Sequence, residues 1–381
     1  MSNTSIFQKS QIKRDSFLND KVLNYSKFRN FDFGNSEANY VSELSPYISH
    51  RVLLEYNLIS EVLQKYEYLK VEKFIQEIFW RIYWKGWLEH RPAVWLDYKK
   101  TSSLKENYKD IKNAYNGETN IDCFNEWVRE LKDKNYLHNH VRMWFASIWI
   151  FTLNLPWQLG ASFFLKYLFD GDAASNTLSW RWVAGLQTKG KHYLAKTWNI
   201  EKYTNNRFSN IKLNEQAFPR EEPIFYPIEE HLIQYNFEQK NDYLLMFEND
   251  LDIHSRKKLL ENYKNIYVLI LNNNNRGIKL SEKVINFKSL LVNDFKSEFK
   301  NVSIIDVNEF LELSFDLKGI DIIYPFVGEN LDFILNLKNK NMTDKFNFIL
   351  RKEDFFSFNF AKKGFFNFKQ NIPKIIKEFN L

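Results

Sequence analysis

Cysteine is almost absent from this sequence of 381 residues, which contains only Cys123. One thiol cannot build a disulfide framework, a thiolate zinc site or a four-cysteine iron–sulfur cluster. No apolar stretch approaches the roughly 18 residues of a membrane-spanning helix, and the first residues lack the continuous apolar core of a secretory signal. These absences predict a soluble, cytoplasmic protein without a membrane association.

Two glycine motifs that bind phosphate are also missing. The sequence has 11 glycines, and they form neither G-x-G-x-x-G nor G-x-x-x-x-G-K-[ST]. Both motifs use glycine to bring backbone N–H groups close to a phosphate. Their absence argues against a nucleotide site of the usual dinucleotide or P-loop type.

Aromatic residues and positive charge are concentrated in the first part of the chain. All eleven tryptophans lie between Trp80 and Trp198, and residues 1–210 contain 29 Lys and Arg against 22 Asp and Glu. The remainder has 24 against 25 and no tryptophan. The first part is therefore the better candidate for contact with a polyanion such as DNA.

The spacing of apolar residues divides the chain into a helical part and an α/β part. From residue 40 to residue 207 apolar residues recur at three- and four-residue intervals, which predicts helices. After a proline-containing stretch, short β-prone runs alternate with helical patterns, which predicts a parallel sheet with helices on both faces. We expect a loose N-terminal arm (1–24), an all-α domain (25–212), a linker (213–240) and an α/β, Rossmann-like domain (241–381).

A first cluster of informative residues is formed by Glu77, Trp80, Arg81 and Trp84. Their spacing of i, i+3, i+4 and i+7 places them on one face of a helix. That face is either a core stripe with an ion pair at its edge or an aromatic wall with polar groups, suited to a flat heteroaromatic ligand. The residues alone leave both interpretations open.

A second cluster contains two histidines, an amide, an arginine and a methionine: His138, Asn139, His140, Arg142 and Met143. The histidines are either surface residues or metal ligands. Their i, i+2 spacing differs from the i, i+4 spacing of a helical zinc site, and no third ligand is apparent. We therefore expect no metal.

A third cluster places Asp172, Asn176 and Trp180 on one helix face, at i, i+4 and i+8. Together with Asp170, the Asp-x-Asp pair can be interpreted as a magnesium site. An amide beside indoles suits a redox-active organic ring better, because such a cofactor needs polar contacts and an aromatic route for electrons.

A series of short motifs resembles the FAD-binding domain of the DNA photolyase/cryptochrome family, in the same order, over residues 25–208. The motifs are Y-x-x-x-R (25–29), S-E-L-S-P-Y (42–47), E-x-x-W-R (77–81), H-R-P (90–92), H-N-x-x-R-M (138–143), D-G-D-x-x-x-N-x-x-x-W-x-W (170–182) and Asn199. Each motif is weak alone, whereas the collinear series is specific.

The resemblance implies a bound FAD whose phosphates lie on the turn at 42–47 and at helix N-termini. In the family, Arg142 would pair with Asp170 beside the flavin, Asp172 would accept from the flavin or its ribose, and Asn176 would face the flavin N5. The implied cofactor-binding residues are Tyr25, Ser42, Glu43, Leu44, Ser45, Phe74, Arg81, Arg142, Asp170, Asp172 and Asn176.

The resemblance also implies a lyase that repairs DNA in blue light. A cyclobutane pyrimidine dimer would be flipped out of the stack, and an electron from excited FADH⁻ would split it. The implied catalytic residues are Glu77, Asn139, Met143, Asn176, Trp157 and Trp180; those for DNA binding are Arg29, Glu77, Trp80, Trp84, Asn139, His140 and Trp182. We expect a monomer whose partner is single- or double-stranded DNA with pyrimidine dimers.

Two details depart from the family pattern. Trp157 and Trp180 match the inner members of the family's tryptophan triad, whereas the outer position falls near Leu104, and Trp95, Tyr108 and Trp144 are candidates for it. His140 replaces an Arg that usually contacts the DNA backbone, and a neutral His attracts phosphate weakly at pH 7.

The order of the domains also departs from the family, which places an α/β antenna domain first. The segments at 247–251 and 363–368 resemble the beginning and the end of that domain. The chain is therefore interpreted as a circular permutant, with an unrelated α/β domain as the alternative. An antenna chromophore, folate or deazaflavin, would belong to this domain.

Two functions from different classes remain open. One is the repair enzyme, and the other is a cryptochrome-type photoreceptor that binds FAD without repair activity. A flavoprotein acting on RNA or single strands is a third interpretation, and no residue favours it.

Overall fold

Helices form the first part of the chain. The structure is a computed structural model that describes residues 4–34, 39–102, 109–229, 234–338 and 345–381. Its first part contains α1 (Ile6–Asp20), α2 (Val22–Phe28), α3 (Ser45–Ser49), α4 (Glu55–Lys65), α5 (Tyr68–Glu89), α6 (Ala93–Ser102), α7 (Lys109–Asn116), α8 (Asp122–Lys134), α9 (Asn139–Ser147), α10 (Trp157–Tyr167), α11 (Ala173–Ala184) and α12 (Thr197–Tyr203). A π-helical turn, Ile148–Thr152, continues α9.

Capping residues set where the helices around the later site begin and end. The Asp172 carboxylate accepts a hydrogen bond from the backbone N–H of Ser175 and so starts α11, while Gly185, at φ +85°, ends it. Only glycine adopts this left-handed conformation without a steric penalty. Asn135 closes α8 in the same left-handed region. His138 follows the Asn135 cap, and Asp170 precedes the Asp172 cap.

The second part of the chain is an α/β domain with an entirely parallel sheet. Its elements are β1 (Tyr235–Asn236), β2 (Tyr243–Phe247), α13 (Lys257–Glu261), β3 (Asn265–Leu269), α14 (Glu282–Glu298), β4 (Val302–Ile305), α15 (Val307–Asp316), β5 (Ile320–Ile323), α16 (Glu329–Lys338), β6 (Phe346–Ile349), α17 (Lys352–Phe358), α18 (Phe365–Lys369) and α19 (Ile372–Phe379). Strands and helices alternate along this domain, as the sequence pattern predicts.

The strand order of the sheet is β1-β6-β5-β2-β3-β4, and every pair of neighbours is parallel. Counted from β2, the five longer strands have the order 3-2-1-4-5, which is the Rossmann order. All four residues of β5 are buried, as expected for a central strand that is covered on both faces. The predicted fold class, a helical domain followed by a Rossmann-like α/β domain, is confirmed.

The first residues differ from the expected loose arm. A capping box between Ser5 and Gln8 begins α1, and this helix packs against α14 and α2. Phe17 and Leu18 are buried, and the Phe7 N–H donates to Asp294 at 3.0 Å. Only a few residues of α1 enter the core, so the sequence shows too little apolar periodicity to predict the helix.

A buried ionic network joins the two domains. The guanidinium of Arg51, fully buried in the helical domain, donates to both carboxylate oxygens of Asp354 in α17 at 2.7 Å. It also contacts Asp250, after β2, at 3.3 Å and Glu55 at 3.1 Å. Such groups tolerate burial only when they are paired in a fixed geometry, so the network fixes how the two domains meet.

The C-terminal helices return to the helical domain. Both α17 and α18 pack on α5. At Gly86 of α5, a Cβ atom would lie 2.6 Å from Phe358 Cδ1 and 2.9 Å from Ala361 Cβ. The missing side chain therefore allows the close approach. Among the described residues, no helix combines the length and the apolar character needed to span a bilayer.

Candidate cofactor and substrate site

A cavity of about 380 Å³ lies between α5, α9 and α11. It brings together residues from all three clusters of the sequence analysis. The predicted residues that line it are Arg29, Glu77, Trp80, Arg81, Trp84, Asn139, Arg142, Met143, Asp170, Asn176, Trp180 and Trp182. We call this the main cavity.

A smaller cavity of about 130 Å³ adjoins the main cavity. Five residues line both: Glu77, Arg81, Asn139, Arg142 and Asp170. The predicted phosphate turn and its neighbours line the smaller cavity with Tyr25, Ser42, Glu43, Ser45 and Phe74. Leu44, also predicted for cofactor binding, is instead fully buried in the core. The two cavities together form an elongated site with an aromatic end and a polar end.

Asp170 is the ionic centre shared by the two cavities. Its Oδ2 accepts from Arg142 at 2.9 Å and from Arg81 at 3.3 Å. Burial opposes ionisation of this carboxyl, but the two guanidinium groups and a hydrogen bond from Ser45 outweigh burial and lower the pKa of Asp170. The predicted pairing of Arg142 with Asp170 is therefore present in the structure.

Glu77 is held at the mouth of the main cavity by two cations. Its Oε1 lies 3.1 Å from Arg29 Nη1 and 3.1 Å from Lys73 Nζ, and its side chain is 26% exposed. Because both cations contact the same oxygen, Oε2 is left to accept a hydrogen bond from a molecule in the cavity.

Asn176 presents an oriented amide to the main cavity. Its Nδ2 donates to the Ala161 carbonyl at 2.9 Å, and the side chain is buried. This bond fixes the amide plane, so that Oδ1 serves as an acceptor. An acceptor suits a protonated ring nitrogen, such as the N5–H of a reduced flavin.

Trp80 and Trp182 supply aromatic walls to the main cavity. Trp80 is itself supported by Phe365 of α18, with ring centroids 3.5 Å apart and planes at 10°. Trp182 stacks on Tyr193, with centroids 5.9 Å apart. The Trp80 wall therefore depends on a residue from the far end of the chain, which sequence reasoning did not identify.

His140 does not line either cavity. Its side chain is buried, stacks on Trp144 with centroids 4.1 Å apart, and makes hydrogen bonds to the Asn30 carbonyl and the Tyr193 hydroxyl. Burial is the largest cause that lowers the pKa of His140. The structure therefore places His140 away from both cavities, and its predicted contact with DNA stays a prediction.

Asp172 serves as a helix cap rather than as a residue of the main cavity. Its carboxylate accepts from Ser175 and contacts Arg81 at 3.5 Å. It lines a third cavity, of about 100 Å³, between the two domains. Its predicted contact with the flavin or ribose stays a prediction.

Two groups of aromatic contacts involve the tryptophans predicted for electron transfer. Trp180 lies edge-on to Trp149 with centroids 6.3 Å apart. Trp157 stacks on Tyr98 at 5.6 Å, and Tyr98 contacts Trp95 at 5.4 Å. Of the candidates for the outer position, Trp95 is thus linked to Trp157 through Tyr98. Trp144 stacks on His140 and Trp127, and Leu104 and Tyr108 lie outside the described residues.

The donor set of the two cavities fits FAD. Asp170 Oδ1 and Trp180 Nε1 are buried and have no hydrogen-bond partner among the described residues. Leaving such groups unpaired costs about 1–3 kcal/mol each, so a polar ligand is expected there. The aromatic walls and the anchored Asn176 suit an isoalloxazine ring, and the turn at 42–45 with nearby Arg81 and Arg142 suits phosphates.

Comparison with known proteins supports the same assignment. Residues 74–215 match the model of the FAD binding domain of DNA photolyase. The deoxyribodipyrimidine photo-lyase of Streptomyces griseus is 31% identical over 175 residues, which are 45% of this chain and 37% of that protein. The chain covers between 21% and 41% of the length of the eight curated photo-lyases compared.

Two solved structures are also similar. A bacterial class III photolyase from Agrobacterium tumefaciens is 25% identical with a TM-score of 0.45, over 52% of this chain and 42% of that one. The Synechocystis cryptochrome is 19% identical with a TM-score of 0.46, over 54% and 46%. The family model and the curated relatives thus support the predicted resemblance of the helical domain to the DNA photolyase/cryptochrome family.

Proposed function

We propose that this protein binds FAD and repairs cyclobutane pyrimidine dimers in DNA by light-driven electron transfer. One observation carries the proposal: Glu77, Trp80, Asn139 and Trp182 line the same cavity as Asn176. A flipped pyrimidine dimer and a flavin would thus share one enclosure, and short-range electron transfer needs such an arrangement.

The chain's own residues would recognise and orient the dimer. Trp80 and Trp182 offer apolar faces to the fused pyrimidines, and such stacking is worth about 1–3 kcal/mol per base. Glu77 Oε2 and the Asn139 amide offer hydrogen bonds to the base edges. Base-edge contacts specify the ligand, whereas stacking alone does not.

Other residues would hold the cofactor. Bound FAD, when reduced and excited by blue light, supplies the electron that opens the cyclobutane ring. Asp170 pairs with Arg81 and Arg142 where the two cavities meet, and Asn176 would accept a hydrogen bond from the flavin ring. Trp180, Trp157 and Tyr98 provide aromatic groups through which an oxidised flavin would be reduced.

A photoreceptor is the second candidate, and one observation favours it. His140 is buried and bonded to the Asn30 carbonyl, so it would contribute little to the binding of duplex DNA phosphates. A protein of this class would bind FAD and pass the signal to protein partners without splitting dimers.

The C-terminal domain is proposed to be a permuted antenna domain. Its strand order is that of a Rossmann-like sheet, and ligands of such sheets bind at the carboxyl ends of the strands where the order reverses. The cavity of about 100 Å³ lies there, between β2 and β5, and contains the Glu248–Lys288 ion pair at 2.7 Å. We propose that a second chromophore would enter this cavity by separating Glu248 from Lys288.

Replacing Glu77 tests the proposed function. The protein, reduced under anaerobic conditions, is mixed with an oligonucleotide that carries one thymine dimer, and dimer splitting is followed in blue light and in the dark. A hydrogen bond from a charged group is worth about 1.5–3 kcal/mol, so Glu77→Ala is expected to lower repair efficiency at limiting DNA by about thirtyfold while FAD stays bound.

The matched control is Glu67→Ala. Glu67 precedes the same helix, is paired with Lys70 and is 77% exposed, so repair should stay at the wild-type level. Unchanged repair in Glu77→Ala, or an equal loss of repair in both variants, would refute the assignment of the main cavity as the dimer-binding pocket. FAD binding and photoreduction without any repair by the wild type would favour the photoreceptor.

A further inference from the structure

We propose that the segment 362–366, which precedes and begins α18, is part of the DNA-binding surface. A base that flanks the flipped dimer would stack on Phe366, and Lys362 and Lys363 would contact phosphates of the same strand. This inference rests on the proposed function, since it names a further contact surface for the same DNA substrate.

The segment lies directly beside the wall of the main cavity. Phe365 stacks on Trp80 at 3.5 Å, and the next residue, Phe366, is 84% exposed. No residue of the described part of the chain covers this exposed phenyl ring, although it lies next to the Trp80 wall. Bases of any sequence stack on such rings, which is why single-strand binding proteins use them.

Two lysines give the segment its charge. Lys362 and Lys363 are exposed, and neither ammonium group forms an ion pair with a described residue. Two carboxylates of α5 are paired with other lysines: Glu72 with Lys369 at 3.4 Å and Glu77 with Lys73 at 3.1 Å. The local excess of positive charge therefore faces solvent, where it attracts a phosphate backbone.

The backbone of the segment is held in place by the helical domain. The Lys362 carbonyl accepts from Arg91 at 2.8 Å, and the Lys363 carbonyl accepts from Tyr83 at 2.9 Å. Phe365 is buried against the same helix. A preorganised segment loses little conformational entropy when it binds a ligand.

The face of α5 that lines the main cavity carries two further tryptophans, of which Trp84 is buried and Trp87 is partly exposed. Trp80, Trp84 and Trp87 follow at i, i+4 and i+7, on the face that carries the cavity wall. Arg91 covers the Trp87 ring at 4.4 Å, and its Nη1 is buried without a partner among the described residues. Alternating aromatic rings and cations are the pattern expected of a groove for a nucleic-acid strand.

The test measures binding and repair separately. Fluorescence anisotropy is recorded at several salt concentrations with single-stranded oligonucleotides of equal length, one undamaged and one with a thymine dimer. Phe366→Ala is expected to weaken both by about tenfold. The double variant Lys362→Gln/Lys363→Gln is expected to lower the slope of log K against log salt by about 1.4. Dimer splitting at saturating DNA should be unchanged in both.

Controls come from equally exposed residues elsewhere. Phe225→Ala removes a ring that is also 84% exposed, and Lys296→Gln/Lys300→Gln removes two exposed lysines of the α/β domain. In contrast to Phe366→Ala, the variant Phe366→Trp should bind DNA as well as the wild type, because a larger ring stacks at least as well. FAD content and melting temperature verify that each variant is folded.

The outcomes separate this inference from the proposed function. Binding of the Phe366 and lysine variants at the level of the controls overturns the surface, even if the wild type repairs dimers. A wild type that splits no dimers but loses binding in these variants overturns the repair function and leaves the surface in place. A wild type that binds neither oligonucleotide overturns both.

Discussion

Gly160 offers a direct test of the packing around Trp180. A Cβ atom at Gly160 would lie 2.3 Å from Trp180 Cη2, 2.5 Å from its Cζ3 and 3.0 Å from Trp149 Cε2. Carbon atoms in contact prefer about 3.5–4.0 Å, so Gly160→Ala forces the Trp180 ring to move by about 1 Å. Trp180 is buried and lies edge-on to Phe164 at 5.1 Å, which leaves the ring little room.

The expected cost follows from two opposing effects. Overpacking of a core lowers the free energy of unfolding by about 1–3 kcal/mol. Because two rigid indole rings surround Gly160, we expect a loss at the upper end of this range. Alanine gains about 1 kcal/mol over glycine within a helix. We therefore expect Gly160→Ala to destabilise the protein by about 2 kcal/mol, which in a chain of this size lowers the melting temperature by roughly 2–3 °C.

The assay is thermal unfolding, with the photoreduction rate of bound flavin as a second readout. A displaced Trp180 should slow photoreduction. The control is Gly364→Ala, because φ is −66° at Gly364 and no atom lies within 4 Å of its Cβ position. A Gly160→Ala variant as stable as this control, with unchanged photoreduction, would refute the close packing of α10 on Trp180.

Two further predictions concern buried carboxyl groups. Burial raises the pKa of Glu89 to about 7, despite hydrogen bonds from Tyr324 and the Val327 N–H. Its folded-state pKa thus exceeds the unfolded value, so stability falls by about 3 kcal/mol as pH rises from about 4.5 to 7. Glu89→Gln should remove this part of the pH dependence in melting curves; an identical profile would contradict the argument. Asp170→Asn should cost about 2 kcal/mol in chemical denaturation and release FAD, since Arg142 loses its partner; full FAD retention would contradict it.

Spacing along single helices predicted much of the candidate site. Glu77, Trp80 and Trp84 share a helix face by their intervals alone, and the structure places all three on the main cavity. The alternation of strands and helices likewise predicted a parallel sheet, because period and element length are local properties of a sequence. Local sequence patterns were therefore sufficient to predict features that lie within a single helix or strand.

Contacts between distant segments could not be predicted in this way. The stacking of Phe365 on Trp80 and the pairing of Arg51 with Asp354 join residues that are far apart in the chain. The periodicity of one helix does not indicate which other helix its aromatic side chains contact. The inward position of His140 also depends on a neighbour, the Asn30 carbonyl. These features are set by tertiary packing, which local sequence does not encode.

The central claim is that one cavity holds both a reduced flavin and a pyrimidine dimer. The most direct test illuminates the reduced protein with an oligonucleotide that carries one thymine cyclobutane dimer and follows the ultraviolet absorbance that thymine regains, against a dark control. The account predicts recovery in blue light and none in the dark. FAD bound and photoreducible, with no recovery of thymine absorbance, would contradict it.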